Sequence, residues 1–361
     1  MRVAAVCCLC AVACRPEPIP VDAGADPFPE PSIAFAPRAY DARHVLTPPA
    51  IDGLLTDVAW TDARWTEEFV DIEGPLRASP RYRTRAKMVW DDRYFYVAAW
   101  LEEPDLWATL TERDAVIYQD NDFEVFIDPD GDTHEYYELE INALGTEWDL
   151  FLVRPYRDGG PALHAWDIPG LRTAVGLHGT LNRPGDRDSG WTVEIAFPWS
   201  ALREAAGRPT PPNPGDRWRV NFSRVQWWLD VEDGAYRKRV DTSGSPLPEA
   251  NWVWSPQGLI NMHYPEMWGF VRFVGAGHMV PEQRDDVLDR GGWALRRLYY
   301  AERTYYARFG RYTTDLAALG MTASPNGVPW PPRIDAITAW FSATLVLDAD
   351  TLTITTDGRA R

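Results

Sequence analysis

Apolar and polar residues alternate along most of this chain in short runs. They recur at Ala86–Val89, Tyr94–Leu101, Phe123–Ile127, Tyr137–Ile141, Trp148–Val153, Trp191–Phe197, Trp218–Val225 and Trp268–Val274, with Gly, Pro, Asn and Asp between them. A period of two marks half-buried strands. Many such strands separated by turn residues predict a mainly β chain. The expected architecture over residues 45–275 is an antiparallel two-sheet β-sandwich, jelly-roll-like in outline. Ser200–Ala206 predicts one short helix, with Ser200 as its cap and Gly207 as its stop. From residue 276 the period changes. Leu295, Leu298, Tyr299, Tyr305, Tyr306 and Phe309 recur at helical spacing and predict one long amphipathic helix within 285–309. Thr338–Leu347 and Thr351–Thr356 then read as a β-hairpin turning at Asp348-Ala349-Asp350. Residues 276–361 are thus an expected C-terminal extension of a helix plus a hairpin.

One strand departs from plain alternation. Asp120-Asn121-Asp122-Phe123-Glu124-Val125-Phe126-Ile127-Asp128 places Glu124 inside an otherwise apolar run. A carboxylate there is costly without a partner. A hydrogen-bonding ligand would be one partner; the plainer alternative is a strand end whose charge stays in water.

Charge and cysteine usage narrow the picture. There are 36 basic and 53 acidic residues, a net charge of −17, which opposes a phosphate backbone and argues against nucleic acid as a partner. Neutral sugars are unaffected. The 18 tryptophans are expected mostly in the core, with a minority free to stack on sugar rings. All four cysteines lie between Cys7 and Cys14, so no disulfide staples the rest of the chain. Arg2 and the apolar run Val3–Ala13 read as a targeting segment too short to span a bilayer. Ala11-Val12-Ala13-Cys14 is similar to a bacterial lipobox, with Ala11 where Leu is usual. The expectation is a signal peptide over 1–14 with Cys14 lipidated; the alternative is an ordinary cleaved signal peptide of a secreted or periplasmic protein. Residues 15–44 then form a Pro-rich tether. The expected location is the cell envelope, as an outer-membrane lipoprotein, and the chain is expected to act as a monomer.

The order of motifs resembles the family 9 carbohydrate-binding modules. Ile51-Asp52-Gly53 with the later Trp60 is followed by Trp90-Asp91-Asp92 with Tyr94–Ala99. Then come the acidic strand, Glu138-Leu139-Glu140-Ile141-Asn142, Gly190–Trp199 and a closing Trp268–Phe273. The resemblance covers about residues 45–275. It implies non-catalytic binding of sugar ends or oligosaccharides, from plant or bacterial polysaccharides, in a cleft with aromatic stacking. No cofactor is required. Matching motif by motif, it implies that Tyr118 takes the place of one clamping Trp, Glu124 that of the strand carboxylate and Asn142 that of the amide. It also implies a departure: Glu140 stands where the relatives carry an arginine, and no Trp occupies the second clamp position near Asn261–Tyr264. Trp252, Trp254, Met262 or Tyr264 would have to substitute.

Other residues are candidates on their own patterns. Asn221 and Arg224, on the alternating strand Asn221–Trp228, could reach a ligand, and Trp166 lies on a long loop, where function often sits. Arg157 is a candidate on the same loop. Asp128, Asp130 and Asp132 place three carboxylates at alternate loop positions, a pattern that suits structural calcium; an acidic turn is the alternative. Two other functions compete with binding. One is a glycoside-active hydrolase using Glu124 with Glu138 or Glu140; it needs two carboxylates facing one cleft about 5–9.5 Å apart. The other is a structural surface lipoprotein with a vestigial cleft.

Overall fold

The protein is seen here in a computed structural model that describes residues 28–275, 285–325 and 327–361. The expected signal peptide, Cys14 and the first part of the expected tether lie outside the described residues. In chain order the strands of the large sheet begin with β1 (Ala39–His44), β2 (Val70–Asp71), β3 (Thr84–Trp90), β4 (Tyr94–Glu102) and β5 (Asp122–Asp128). They continue with β6 (Tyr136–Asn142), β7 (Glu147–Leu152), β8 (Ala162–Leu163), β9 (Arg172–His178) and β10 (Gly190–Pro198). After β11 (Arg217–Gln226) comes a separate ribbon of β12 (Leu229–Glu232) and β13 (Ala235–Lys238), then β14 (Ala250–Val253) and β15 (Gly269–Val274). The short helices α1 (Val58–Asp62) and α2 (Trp199–Leu202) interrupt them.

The sheet is one mixed, curled surface with the order β8-β7-β6-β5-β11-β15-β1-β3-β4-β10-β9. This corrects the expected pair of separate antiparallel sheets. The reason is β1, which pairs in parallel with β15 on one side and β3 on the other and so joins the two halves. Its alternation buries only Tyr40 and Ala42, too few apolar residues to signal a strand. The halves still face each other across one core. Phe123, Val125, Leu139, Ile141 and Phe222 from one half share it with Phe95, Val97, Val193 and Ile195 from the other. The predicted short helix begins at Trp199 after Pro198, so Ser200 is not its cap.

The stretch expected as a tether is docked from Phe28 onward. The Phe28 ring stacks on Tyr300, its N–H donates to Thr304, and Ile33 and Phe35 join a second core. That core lies against the long helix α3 (Asp285–Phe309), as predicted, through Trp293, Leu295, Leu298, Tyr299 and Tyr300. The expected hairpin is a three-stranded sheet, β16 (Arg333–Ile337), β17 (Trp340–Leu347) and β18 (Asp350–Thr355). The added strand β16 exposes every second residue and follows two prolines, so its sequence carries little apolar signal.

Buried charges fasten α3 to the large sheet. Arg157 lies 2.8 Å from Glu266 and 3.2 Å from Asp158, while Arg303 reaches Asp158 at 2.8 Å. The hydroxyls of Tyr299 and Tyr300 donate to Asp158 and Glu266. Burial opposes the Glu266 charge, yet Arg157 and Arg296 outweigh it and hold the pKa at about 2. Arg157 is thus a structural ion-pair partner, not a free ligand.

Candidate functional site

Strand parity decides which side chains share a face. Phe123, Val125 and Ile127 of β5 enter the main core, so Asp122, Glu124 and Phe126 point the other way. β6 pairs with β5 so that Glu124 is opposite Glu140 and Phe126 opposite Glu138. β11 adds Ser223 opposite Glu124, and β7 adds Trp148 opposite Glu140. The result is a face with four buried carboxylates, Asp122, Glu124, Glu138 and Glu140, above an apolar layer that includes Phe126, Tyr136, Trp148, Leu150 and Met262.

The electrostatics are unusual. Burial pushes Glu124 up to about 7, with the Ser223 hydroxyl holding it back and Glu249 adding to the rise. Burial also raises Asp122, Glu138 and Glu140 well above the ordinary carboxylate range, and in each the Glu124 charge adds most to it. Backbone donors are few: Val225 N–H reaches Asp122 at 3.0 Å and Tyr118 N–H reaches Glu140 at 2.9 Å.

Two rings stand at this face. Tyr118 is 41% exposed and Tyr156 46% exposed. Tyr118 is anchored by its own backbone, whose carbonyl accepts the Trp227 indole N–H. Its ring lies 6.5 Å from Trp148, which stacks on His164. Tyr156 packs edge-on against His263, 4.5 Å away. Burial raises the Tyr156 pKa to about 12, and Glu138, Glu140 and Tyr118 add to the rise. Tyr156 was not singled out from sequence. It lies in a loop with no periodicity, and only its closeness to β6 in the fold reveals it.

The other expected ligand contacts sit as follows. Asn142 is fully buried and its amide is committed: it donates to Leu110 O and Asp120 and accepts from Leu144 N–H and Thr146 N–H. It shapes the loop that ends at Tyr118 and has no free polar atom to offer. Asn221 shares the face with Ser223, but it donates to Ser255 O and accepts from Ser255 N–H and Phe222 N–H. Arg224 has the opposite parity. It is fully buried against Glu103 at 3.0 Å, Gln226 and Thr84. Trp166 packs inward on Tyr137 and Phe151. Trp254 is enclosed in the main core with its indole N–H on Glu67, and Trp252 is there too. Tyr264 is buried beneath the Arg157 guanidinium in the α3 core. Among the proposed substitutes for the second clamp, Met262 alone reaches the acidic face, as part of its apolar layer.

Asp128, Asp130 and Asp132 are not among the carboxylate groups whose oxygens converge. Asp128 caps Gly131 N–H and Thr133 N–H, Asp130 accepts from Asp132 N–H, and Asp132 pairs with Arg359. Burial nevertheless raises Asp128 well above the carboxylate range and Asp130 to about 6, with the neighbouring loop carboxylates adding to the rise. Of the two carboxylate pairs expected for hydrolysis, Glu124 with Glu140 sits too close. Oxygens of Asp122, Glu124 and Glu140 lie within 4.8 Å of one another on one face, whereas hydrolysis needs two carboxyl groups about 5–9.5 Å apart on either side of a bond.

The motifs outside this face prove structural. Glu194 on β10 accepts from Trp60 Nε1 at 2.5 Å, Gly53 N–H at 2.6 Å and Asp52 N–H at 3.0 Å. A Cβ at Gly53, whose φ is +84°, would lie 2.7 Å from the β9 backbone, so only glycine fits there.

Residues 51–212 match the family described as carbohydrate family 9 binding domain-like. The exoglucanase XynX of Acetivibrio thermocellus is 27% identical over 172 residues, 47% of this chain and 13% of that enzyme. The endo-1,4-beta-xylanase A of Thermoanaerobacterium saccharolyticum is 25% identical over 175 residues, 48% of this chain and 13% of that enzyme. A solved family 9 module from Caldicellulosiruptor kristjanssonii, in complex with cellotriose, is 18% identical with a TM-score of 0.43, covering 68% of this chain and all of that one. The matched stretch contains the fastened Ile51-Asp52-Gly53 turn, the four acidic residues and both exposed tyrosines; residues 51–212 are a family 9-like carbohydrate-binding domain.

Proposed function

We propose that the chain binds carbohydrate without catalysis, at the acidic face between Tyr118 and Tyr156. The observation that carries this is the pair of half-exposed rings beside buried carboxylates. An aromatic plane suits the C–H face of a sugar ring, and a few polar groups beneath it fix orientation. Tyr156 takes the part of the second clamp, which the sequence near Met262 does not supply. Glu124 is the acceptor beneath the rings. The sugar class is that of plant or bacterial polysaccharide fragments, and the relatives matched over this stretch are parts of polysaccharide-degrading enzymes. Hydrolysis is the weaker reading because Glu124 and Glu140 cluster with Asp122 on one face. Lipidation at Cys14 would hold this binding unit at the outer membrane.

The test is a glycan array on the full chain, followed by calorimetry with each hit. Tyr118→Ala and Tyr156→Ala should each weaken binding at least tenfold, about 1.4 kcal/mol, with an unchanged circular dichroism spectrum. No bound glycan, or binding that neither substitution alters by threefold, refutes the reading.

A further inference from the structure

The acidic face carries a second feature that sugar binding does not need. Asp122, Glu124 and Glu140 each bring an oxygen within 4.8 Å of the others, and all three are buried. Glu138 is outside this trio, yet its Oε2 is buried and unpartnered on the same face, and Asp122 Oδ2 is unpartnered too. Ser223, fully buried opposite Glu124, adds a hydroxyl.

Asp114, Asp149 and Asp167 also converge. There Arg113 sits among them, 3.1 Å from Asp167 and 3.8 Å from Asp114 and bonded to Asp149. That cluster has a cation of its own chain inside it. No arginine or lysine is among the charges acting most strongly on Asp122, Glu124, Glu138 or Glu140.

We propose that Asp122, Glu124 and Glu140, with Glu138 beside them, bind a divalent cation, and that the cation is calcium. Hard carboxylate oxygens select a hard cation. Calcium holds oxygens at about 2.3–2.6 Å, so ligands up to about 5 Å apart fit one ion; magnesium, at about 2.0–2.1 Å, needs a tighter and more regular set. Trp148, opposite Glu140, places an indole close enough to report on the site. This inference does not rest on the carbohydrate reading, and its test uses no sugar.

The experiment strips the full chain with chelator, then titrates calcium by calorimetry and by melting temperature. Terbium luminescence sensitised by tryptophan provides a third readout. The expected result is one bound calcium and a rise in melting temperature, since a ligand of the native state alone stabilises it. Glu140→Gln and Asp122→Asn should each weaken calcium at least tenfold. In chelator the same two variants should melt at or above the parent, because they relieve repulsion. That second result distinguishes lost ligands from a damaged fold. No heat, no shift and no luminescence up to millimolar calcium overturn the proposal. So does a calcium response that survives both substitutions but disappears with Asp128→Asn. A response to glucosamine in place of calcium would overturn it in favour of an organic cation.

Discussion

Glu194→Gln tests whether the motifs near Trp60 and on β10 hold the fold together. Glu194 is fully buried. One carboxylate oxygen takes two backbone donors, Asp52 N–H and Gly53 N–H; the other takes the Trp60 indole. Burial raises the pKa of this carboxyl and the three donors pull it back. Glutamine keeps the shape and one acceptor oxygen. If that oxygen stays with the two backbone donors, the amide NH2 faces the Trp60 N–H and two donors meet. A hydrogen bond to a charged group contributes about 1.5–3 kcal/mol, and an unsatisfied buried donor costs about 1–3 kcal/mol. The remaining two bonds also lose their charge. The expected destabilisation is about 3 kcal/mol, or roughly 5–10 °C in a domain of this size. Chemical denaturation read by tryptophan fluorescence measures it. Ligand binding at Tyr118 and Tyr156 should be intact below the melting point, because Glu194 is in the other half of the sheet. A loss under 1 kcal/mol would refute the assignment of Glu194 as the fastener of the Ile51-Asp52-Gly53 turn.

Two further outcomes are expected. The Glu266 pKa is depressed from 4.5 to about 2, so its stabilisation is present above pH 4.5 and is lost as pH falls through about 2; Glu266→Gln leaves Arg157 with Asp158 as its remaining carboxylate, should remove about 1.5–3 kcal/mol at pH 7 and should flatten the acid limb of the stability curve, and an unchanged limb would refute the pairing. Expressed in a Gram-negative host, the parent chain should partition into detergent and Cys14→Ser should not; equal partitioning counts against lipidation.

The alternating strands were legible because their apolar residues face a packed layer: β3 to β6, β10, β11 and β15 carry that period toward the main core, and β7 carries it toward the layer beneath the acidic face. β1 and β9 were not. β1 buries two residues, and β9 is half exposed along its length. At the site, parity alone could have corrected Arg224. It shares parity with Phe222, a core residue, whereas Ser223 pairs with Glu124 on the acidic face. No local pattern could have found Tyr156, whose place depends on the loop after β7 returning over β6. Asn142 was legible as important but not as structural, because its four partners come from two loops distant in sequence or unpatterned.

The residues that carry the family resemblance are therefore mostly those that build the scaffold. Asp91 of the Trp90-Asp91-Asp92 run accepts from Arg93 N–H, Tyr94 N–H and the Tyr96 hydroxyl, and its carbonyl takes the Trp199 indole. Glu194 fastens Gly53 and Trp60. None of these lies on the acidic face, so these motifs constrain the fold far more tightly than the specificity. The chemistry of the face turns on Glu140. An arginine at that position would neutralise Glu124, its opposite neighbour, and would offer donors to a sugar. A glutamate does the reverse: it adds a buried negative charge to an already acidic strand pair and offers acceptors alone. Such a face is stable at neutral pH only if protons or a cation answer it. What binds beside Tyr118 and Tyr156 is thus governed by how that charge is met, which makes Glu140→Arg the most informative single exchange. It should abolish any calcium response. If the carbohydrate reading holds, it should also leave sugar binding intact or stronger. Loss of both activities in a folded variant would show that sugar binding needs Glu140 itself, through the cation or through the Tyr118 N–H that Glu140 accepts.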